Sequence, residues 1–139
     1  MLSKDAPILL VDDSLAAQQS VTHTLNSVGY KNIDCANNGK EALDFLKASI
    51  EKQRTYKIIF LDWKMPEMDG LSFLKTCRED MGMRDVAIVM LTAVTDQKSL
   101  IMALGSGATS FMTKPVSHEA ILRKMDQIGS WLEARDRAH

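Results

Sequence analysis

The sequence has little cysteine, little proline and no surplus of either charge. Its 139 residues include two cysteines and three prolines. Cys35 and Cys77 form neither a CxxC pair nor a cluster with histidine at metal-ligand spacing, which excludes a thiolate metal centre and a disulfide scaffold. Both read as reduced, partly buried thiols. Lysine and arginine total 17 against 18 aspartates and glutamates, a formal net charge of −1. Direct nucleic-acid binding and adhesion to an anionic membrane both want clustered positive charge, so neither is expected. No apolar stretch approaches the roughly 20 residues of a membrane helix. The start, Met1 to Pro7, is polar, and Asp12-Asp13 cuts the apolar run that follows, which is not a signal-peptide pattern. The expected location is the cytoplasm. His23, His118 and His139 form no cluster.

What is present is an ordinary globular composition, 45% hydrophobic and 25% charged. Its length can bury one core unaided, so we expect a single domain over 1–139 with a core of about 6–133. Five short apolar runs alternate with five amphipathic segments, the pattern of an α/β fold with a parallel sheet covered on both faces. Ser14 is placed to cap the first helix, with Val21, Leu25 and Val28 inward and Gly29 as the stop. A weaker strand covers about Asn32 to Ala36. Asn38 and Glu41 approximate a capping box ahead of an inward stripe of Ala42, Leu43, Leu46 and Ile50. Asp69-Gly70 opens the third helix, with Leu71 and Leu74 inward. Thr95 opens the fourth, with Ile101 and Leu104 inward. Ser117 caps the last, with Ile121, Met125, Ile128 and Leu132 at helical spacing.

The chemistry sits where the apolar runs end. Ile8-Leu9-Leu10-Val11 runs into Asp12-Asp13, and Ile58-Ile59-Phe60-Leu61 into Asp62. Ala87-Ile88-Val89-Met90-Leu91 runs into Thr92-Ala93, and Thr109-Ser110-Phe111-Met112-Thr113 into Lys114-Pro115. Open α/β sheets bind ligands at the carboxyl ends of their strands. Three converging carboxylates repel one another unless a cation compensates. A hard divalent ion such as Mg²⁺ suits such an oxygen site. Alone, Asp12 and Asp13 would serve equally to cap the first helix. With Asp62 and Lys114 they suggest a metal-assisted phosphoryl site, in which Asp62 is a candidate nucleophile. Pro66 and Gly70 shape the loop after Asp62. Lys114-Pro115 is a candidate cis bond.

Together these segments resemble the receiver domain of two-component response regulators. They are Val11-Asp12-Asp13-Ser14, Leu61-Asp62-Trp63-Lys64-Met65-Pro66-Glu67-Met68-Asp69-Gly70, Leu91-Thr92-Ala93 and Lys114-Pro115. The resemblance runs from about Ile8 to Leu132 and is nearest to the single-domain, chemotaxis (CheY-like) type. It implies a five-stranded, doubly wound, flavodoxin-like sheet of order 2-1-3-4-5 with five helices. It implies that Asp62 is the phosphoacceptor for a sensor histidine kinase, and that Mg²⁺ is the cofactor. Asp13 and Asp62 would bind the ion directly, Asp12 mainly through a metal-bound water, and Lys64 through its backbone carbonyl. Thr92 and Lys114, with the backbone of Trp63 and Ala93, would hold the phosphoryl group. Thr92 and Phe111 would form the switch, altering a protein-binding face over 95–107, 109–113 and 117–132. The output would be a protein contact, for which the flagellar motor switch is one candidate. The protein would be a monomer or a weak phosphorylation-dependent dimer, and no enzyme beyond slow self-dephosphorylation.

Two positions depart from the chemotaxis pattern. Lys64 stands where those regulators typically carry Asn, and Val94 where they often carry Glu. Both flank the phosphoryl position, so a different lifetime of the aspartyl phosphate is expected. Phe111 lacks the hydroxyl of the tyrosine common at the switch position. A receiver excised from a longer regulator, or a phosphorelay intermediate serving a histidine phosphotransfer protein, is the alternative within this class. An aspartyl-nucleophile phosphohydrolase is disfavoured, because Lys64 occupies the place of its general acid.

Overall fold

A computed structural model of the chain describes residues 2–65, 68–93 and 97–138. In order, the elements are β1 (Ile8–Val11), α1 (Leu15–Ser27), β2 (Ile33–Ala36), α2 (Gly39–Glu51), β3 (Ile58–Asp62), α3 (Gly70–Lys75), β4 (Ala87–Thr92), α4 (Gln97–Gly105), β5 (Ser110–Thr113) and α5 (His118–Ala138). A π-helical turn over Thr76–Asp80 extends α3. Every strand pairing is parallel, and the sheet order is β2-β1-β3-β4-β5. This is the expected five-stranded doubly wound architecture.

The central strands β1, β3 and β4 are buried at every position. Helices cover both faces, so these strands need apolar residues on both sides. Leu9, Val11, Ile59, Leu61, Ile88 and Met90 face one layer, with Leu46, Phe73 and Leu74. Ile8, Leu10, Ile58, Phe60, Val89 and Leu91 face the other, with Val21 and Leu25 of α1 and Ile121, Met125, Ile128 and Leu132 of α5. The register aligns Val11 with Leu61 and Asp62 with Leu91. It therefore brings the carboxyl ends of β1, β3 and β4 to one edge.

Local chemistry sets the helix starts. Ser14 Oγ accepts from Ala17 N at 3.2 Å, Asp69 Oδ1 from Ser72 N at 2.8 Å and Ser117 Oγ from Ala120 N at 3.1 Å. Asn38 Oδ1 accepts from Glu41 N at 2.9 Å, while Glu41 Oε1 reaches back to Asn37 N at 3.3 Å. The capping box is thus shifted one residue upstream of the N-cap. Gly29, at φ 102°, follows α1 in the left-handed conformation that glycine adopts at little cost.

Two helix faces differ from expectation. On α2, Ile50 is exposed, and Ser49 turns inward with its Oγ donating to Leu46 O at 2.8 Å. On α4, Ile101 and Leu104 are 67% and 45% exposed, and Ala103 is buried. Apolar residues stand around most of α4, so periodicity does not select its inner side; the small Ala103 takes the contact with the sheet. The expected start of that helix at Thr95 lies outside the described residues. Arg78 secures the far end of α4, donating from Nε to Gly107 O at 2.8 Å and from Nη1 to Met83 O and Val86 O at 2.6 and 2.7 Å. Cys35 is half-buried, Cys77 is buried, and both are free thiols.

Candidate functional site

The sheet edge gathers the residues that the sequence places at strand ends. Asp12, Asp13 and Asp62 each offer a carboxylate oxygen, and these oxygens lie within 4.8 Å of one another. Asp12 is fully buried, Asp62 nearly so, and Asp13 is exposed. Lys114 Nζ lies 2.9 Å from Asp12 Oδ2 and 3.3 Å from Asp62 Oδ1. Lys114 therefore pairs more closely with Asp12 than with the expected phosphoacceptor. The other Asp12 oxygen, Oδ1, accepts from Ser14 N at 2.9 Å.

Lys114 arrives from β5 through a loop tied to β4. Its backbone N–H donates to Thr92 O at 2.8 Å, and the Lys114-Pro115 bond is cis. Thr92 ends β4 in a buried position, and Ala93 beside it is exposed. Lys64 is exposed. Phe111 is half-buried and packs against the core layer that holds Ala103. Val94, Pro66 and Glu67 lie outside the described residues.

One expected contact differs. The Trp63 N–H donates to Leu91 O at 2.9 Å, continuing the β3–β4 ladder past the end of the strand. It is committed to the sheet and does not face an incoming phosphoryl group in this conformation. Trp63 O in turn accepts from Gly70 N at 2.8 Å, which closes the loop after Asp62 back onto the strand. This closure needs a glycine. A Cβ at Gly70 would stand 2.6 Å from Asp62 O and 3.0 Å from Trp63 Cα, both backbone atoms.

The electrostatics follow from crowding. The Asp62 pKa is pushed up from 3.8 to about 6, first by burial and then by the Asp12 charge, with Lys114 opposing. At Lys114, burial lowers the pKa, but the hydrogen bond to Asp12 and the charges of Asp62 and Asp12 together raise it above its usual value. One ammonium pairs with two of the three clustered carboxylates. This all-oxygen, negatively overcharged donor set fits a hard divalent cation such as Mg²⁺.

Gln18 was missed in the sequence. It is buried on the inner face of α1, and its Nε2 donates to Asp12 O at 2.6 Å and to Asn37 Oδ1 at 2.9 Å. The available signal was a polar residue on the same stripe as Val21 and Leu25.

A parallel sheet with an acidic cluster and a lysine at its carboxyl edge defines a receiver-type fold and site. Residues 8–126 match the response regulator receiver domain, and the chain belongs to that family. The chemotaxis protein CheY1 of Helicobacter pylori is 31% identical over 121 residues, spanning 87% of this chain and 94% of that protein. The structure of chemotaxis protein CheY4 from Vibrio cholerae matches with a TM-score of 0.77 at 31% identity, covering 89% of this chain and 98% of the other. The CheX–CheY–BeF3–Mg²⁺ complex from Borrelia burgdorferi matches with a TM-score of 0.80 at 28% identity, over 88% of each chain. The protein is a signalling domain of the CheY-like receiver type. Among the described residues, no helix is long and apolar enough to cross a membrane.

Proposed function

We propose that this domain is a phosphorylation-activated response regulator in which Asp62 is the phosphoacceptor. An Asp62 carboxylate oxygen forms a bond to phosphorus as the bond to the histidine nitrogen of a sensor kinase breaks, and the imidazole leaves. Positioning and charge neutralisation carry most of the catalysis in such transfers. Asp12, Asp13, Asp62 and the Lys64 carbonyl would hold Mg²⁺. When bound, that ion supplies positive charge against the carboxylates and the phosphoryl oxygens. Lys114 moves its charge from Asp62 to a phosphoryl oxygen, as a flexible ammonium can. The Thr92 hydroxyl and the Ala93 N–H take another oxygen. The observation that carries the reading is the convergence of three carboxylates at the carboxyl edge of the sheet, two of them paired with one lysine.

The output is a protein contact. Ile101, Met102 and Leu104 leave an apolar face on α4. Phe111 lies half-buried on β5, where a change in packing would alter that face. With Lys64 exposed and no carboxylic acid at its position, self-dephosphorylation is slow. The test is intact-mass analysis after incubation with acetyl phosphate, for wild type and Asp62→Asn, with and without Mg²⁺. One added phosphoryl group, dependent on both Mg²⁺ and Asp62, is the expected result. Labelling that persists in Asp62→Asn would overturn the assignment.

A further inference from the structure

Asp12 and Asp13 are joined by a single peptide plane, and the carbonyl of that plane is Asp12 O. It receives the Gln18 Nε2 hydrogen bond at 2.6 Å, in a buried setting. A change of ψ at Asp12 swings this carbonyl and the attached Asp13 together, so a bond that fixes the carbonyl fixes where Asp13 stands relative to Asp12. The two Asp12 oxygens are separately held by Ser14 N and Lys114 Nζ, whereas among the described residues no hydrogen bond or ion pair holds the exposed Asp13 carboxylate. Gln18 is itself held. Its amide also donates to Asn37 Oδ1 at 2.9 Å, and Asn37 Nδ2 donates to Glu41 Oε1 at 3.2 Å, on the first turn of α2.

We propose that Gln18 is a positioning residue for the cation site, fixing the Asp12–Asp13 peptide so that both acids face Asp62, and that Asn37 and Glu41 orient its amide. The proposal rests on the reading of this edge as a Mg²⁺-assisted phosphoacceptor site. Groups that orient ligands from behind typically change metal affinity when removed, by roughly 10–100-fold. Here the hold acts through the backbone, so the low end applies.

The test titrates Mg²⁺ against Trp63 fluorescence in the full chain, for wild type, Gln18→Met, Asn37→Ala and the double variant. Methionine keeps the volume of Gln18 and removes its donor. The expected result is a Mg²⁺ midpoint weakened about tenfold in Gln18→Met, a smaller change of the same sign in Asn37→Ala, and a double variant no worse than Gln18→Met. Acetyl phosphate labelling returns to the wild-type level at saturating Mg²⁺. In the metal-free protein, the amide nitrogen shift of Asp13 moves in Gln18→Met, since it senses the hydrogen bond on the preceding carbonyl. An unchanged Mg²⁺ midpoint, even with a lowered Tm, makes Gln18 a packing residue and overturns the proposal. If Gln18→Met does not fold, Asn37→Ala decides, and its unchanged midpoint overturns the proposal equally. A wild type without any Mg²⁺ response removes the phosphoacceptor reading, and this inference with it.

Discussion

Replacing Asp62 by asparagine should stabilise the metal-free protein at neutral pH and leave it unchanged in acid. The Asp62 pKa lies at about 6 in the fold against an ordinary 3.8. A carboxyl with a raised folded pKa favours the fold while protonated. Between those two values the folded chain holds the proton that the unfolded chain releases, so stability falls as pH rises through that window. One pKa unit corresponds to about 1.4 kcal/mol, and the difference of about two units gives roughly 3 kcal/mol of destabilisation once Asp62 is fully ionised. The Asp62 side chain is 9% exposed, so solvent screens little of this. The asparagine amide is neutral at every pH and has nearly the same shape. Urea denaturation from pH 3.5 to 8, with chelator, should show Asp62→Asn gaining about 2–3 kcal/mol over wild type above pH 7. The gain should fade through pH 6 and vanish near 4. Saturating Mg²⁺ should shrink it at neutral pH, because the ion relieves the repulsion in wild type. A variant that is no more stable at any pH would refute the account of Asp62 as a charge held against its environment.

Three further outcomes are expected. Gly70→Ala forces a Cβ against Asp62 O and Trp63 Cα and should cost about 2–3 kcal/mol by overpacking, read as a lowered Tm with acetyl phosphate labelling also impaired. Lys114→Met leaves the fully buried Asp12 carboxylate without its ammonium partner. It should cost about 3 kcal/mol in chelator, measured by urea midpoint, with part recovered on adding Mg²⁺. Lys64→Asn and Val94→Glu should each shift the decay rate of the aspartyl phosphate, followed by loss of the added mass over time. Rates equal to wild type in both would remove any role for these departures.

Most of the site was legible because strand ends are legible. An apolar run that stops at Asp, Thr or Lys marks both the end of a buried strand and the chemistry at its tip. Parallel pairing then leaves little freedom in where those tips meet. Two features could not be read that way. The resemblance places the Trp63 backbone beside the phosphoryl position, and the ladder, which extends one residue beyond Asp62, engages its N–H with Leu91 O. Gln18 stands out only as a polar residue on the buried stripe of α1; its contact is to a backbone carbonyl, and a carbonyl is present at every residue, so the sequence does not show what it binds. Side-chain pairs of opposite charge can be guessed from composition and spacing, whereas side-chain to backbone bonds cannot.

The α4 face shows where periodicity loses its grip. Leu100, Ile101, Met102 and Leu104 stand almost in sequence, so a helix through them is apolar on nearly every side. A burial argument then selects the largest residues for the inside, and the fold selects Ala103 instead. A small residue at the contact lets the helix lie close to the sheet while the large ones point outward. Exposed apolar residues grouped in this way mark an interaction surface more often than an accident of folding. The helix is tied at its far end, where Arg78 donates to Gly107 O, Met83 O and Val86 O. In sequence, its near end comes soon after Thr92 and Ala93 at the site. A displacement of Thr92 toward a phosphoryl group would act on a helix whose far end is held by these bonds. Sequence rules that seek the most buried arrangement misassign such a helix because its large side chains stay exposed while a small one takes the contact with the core.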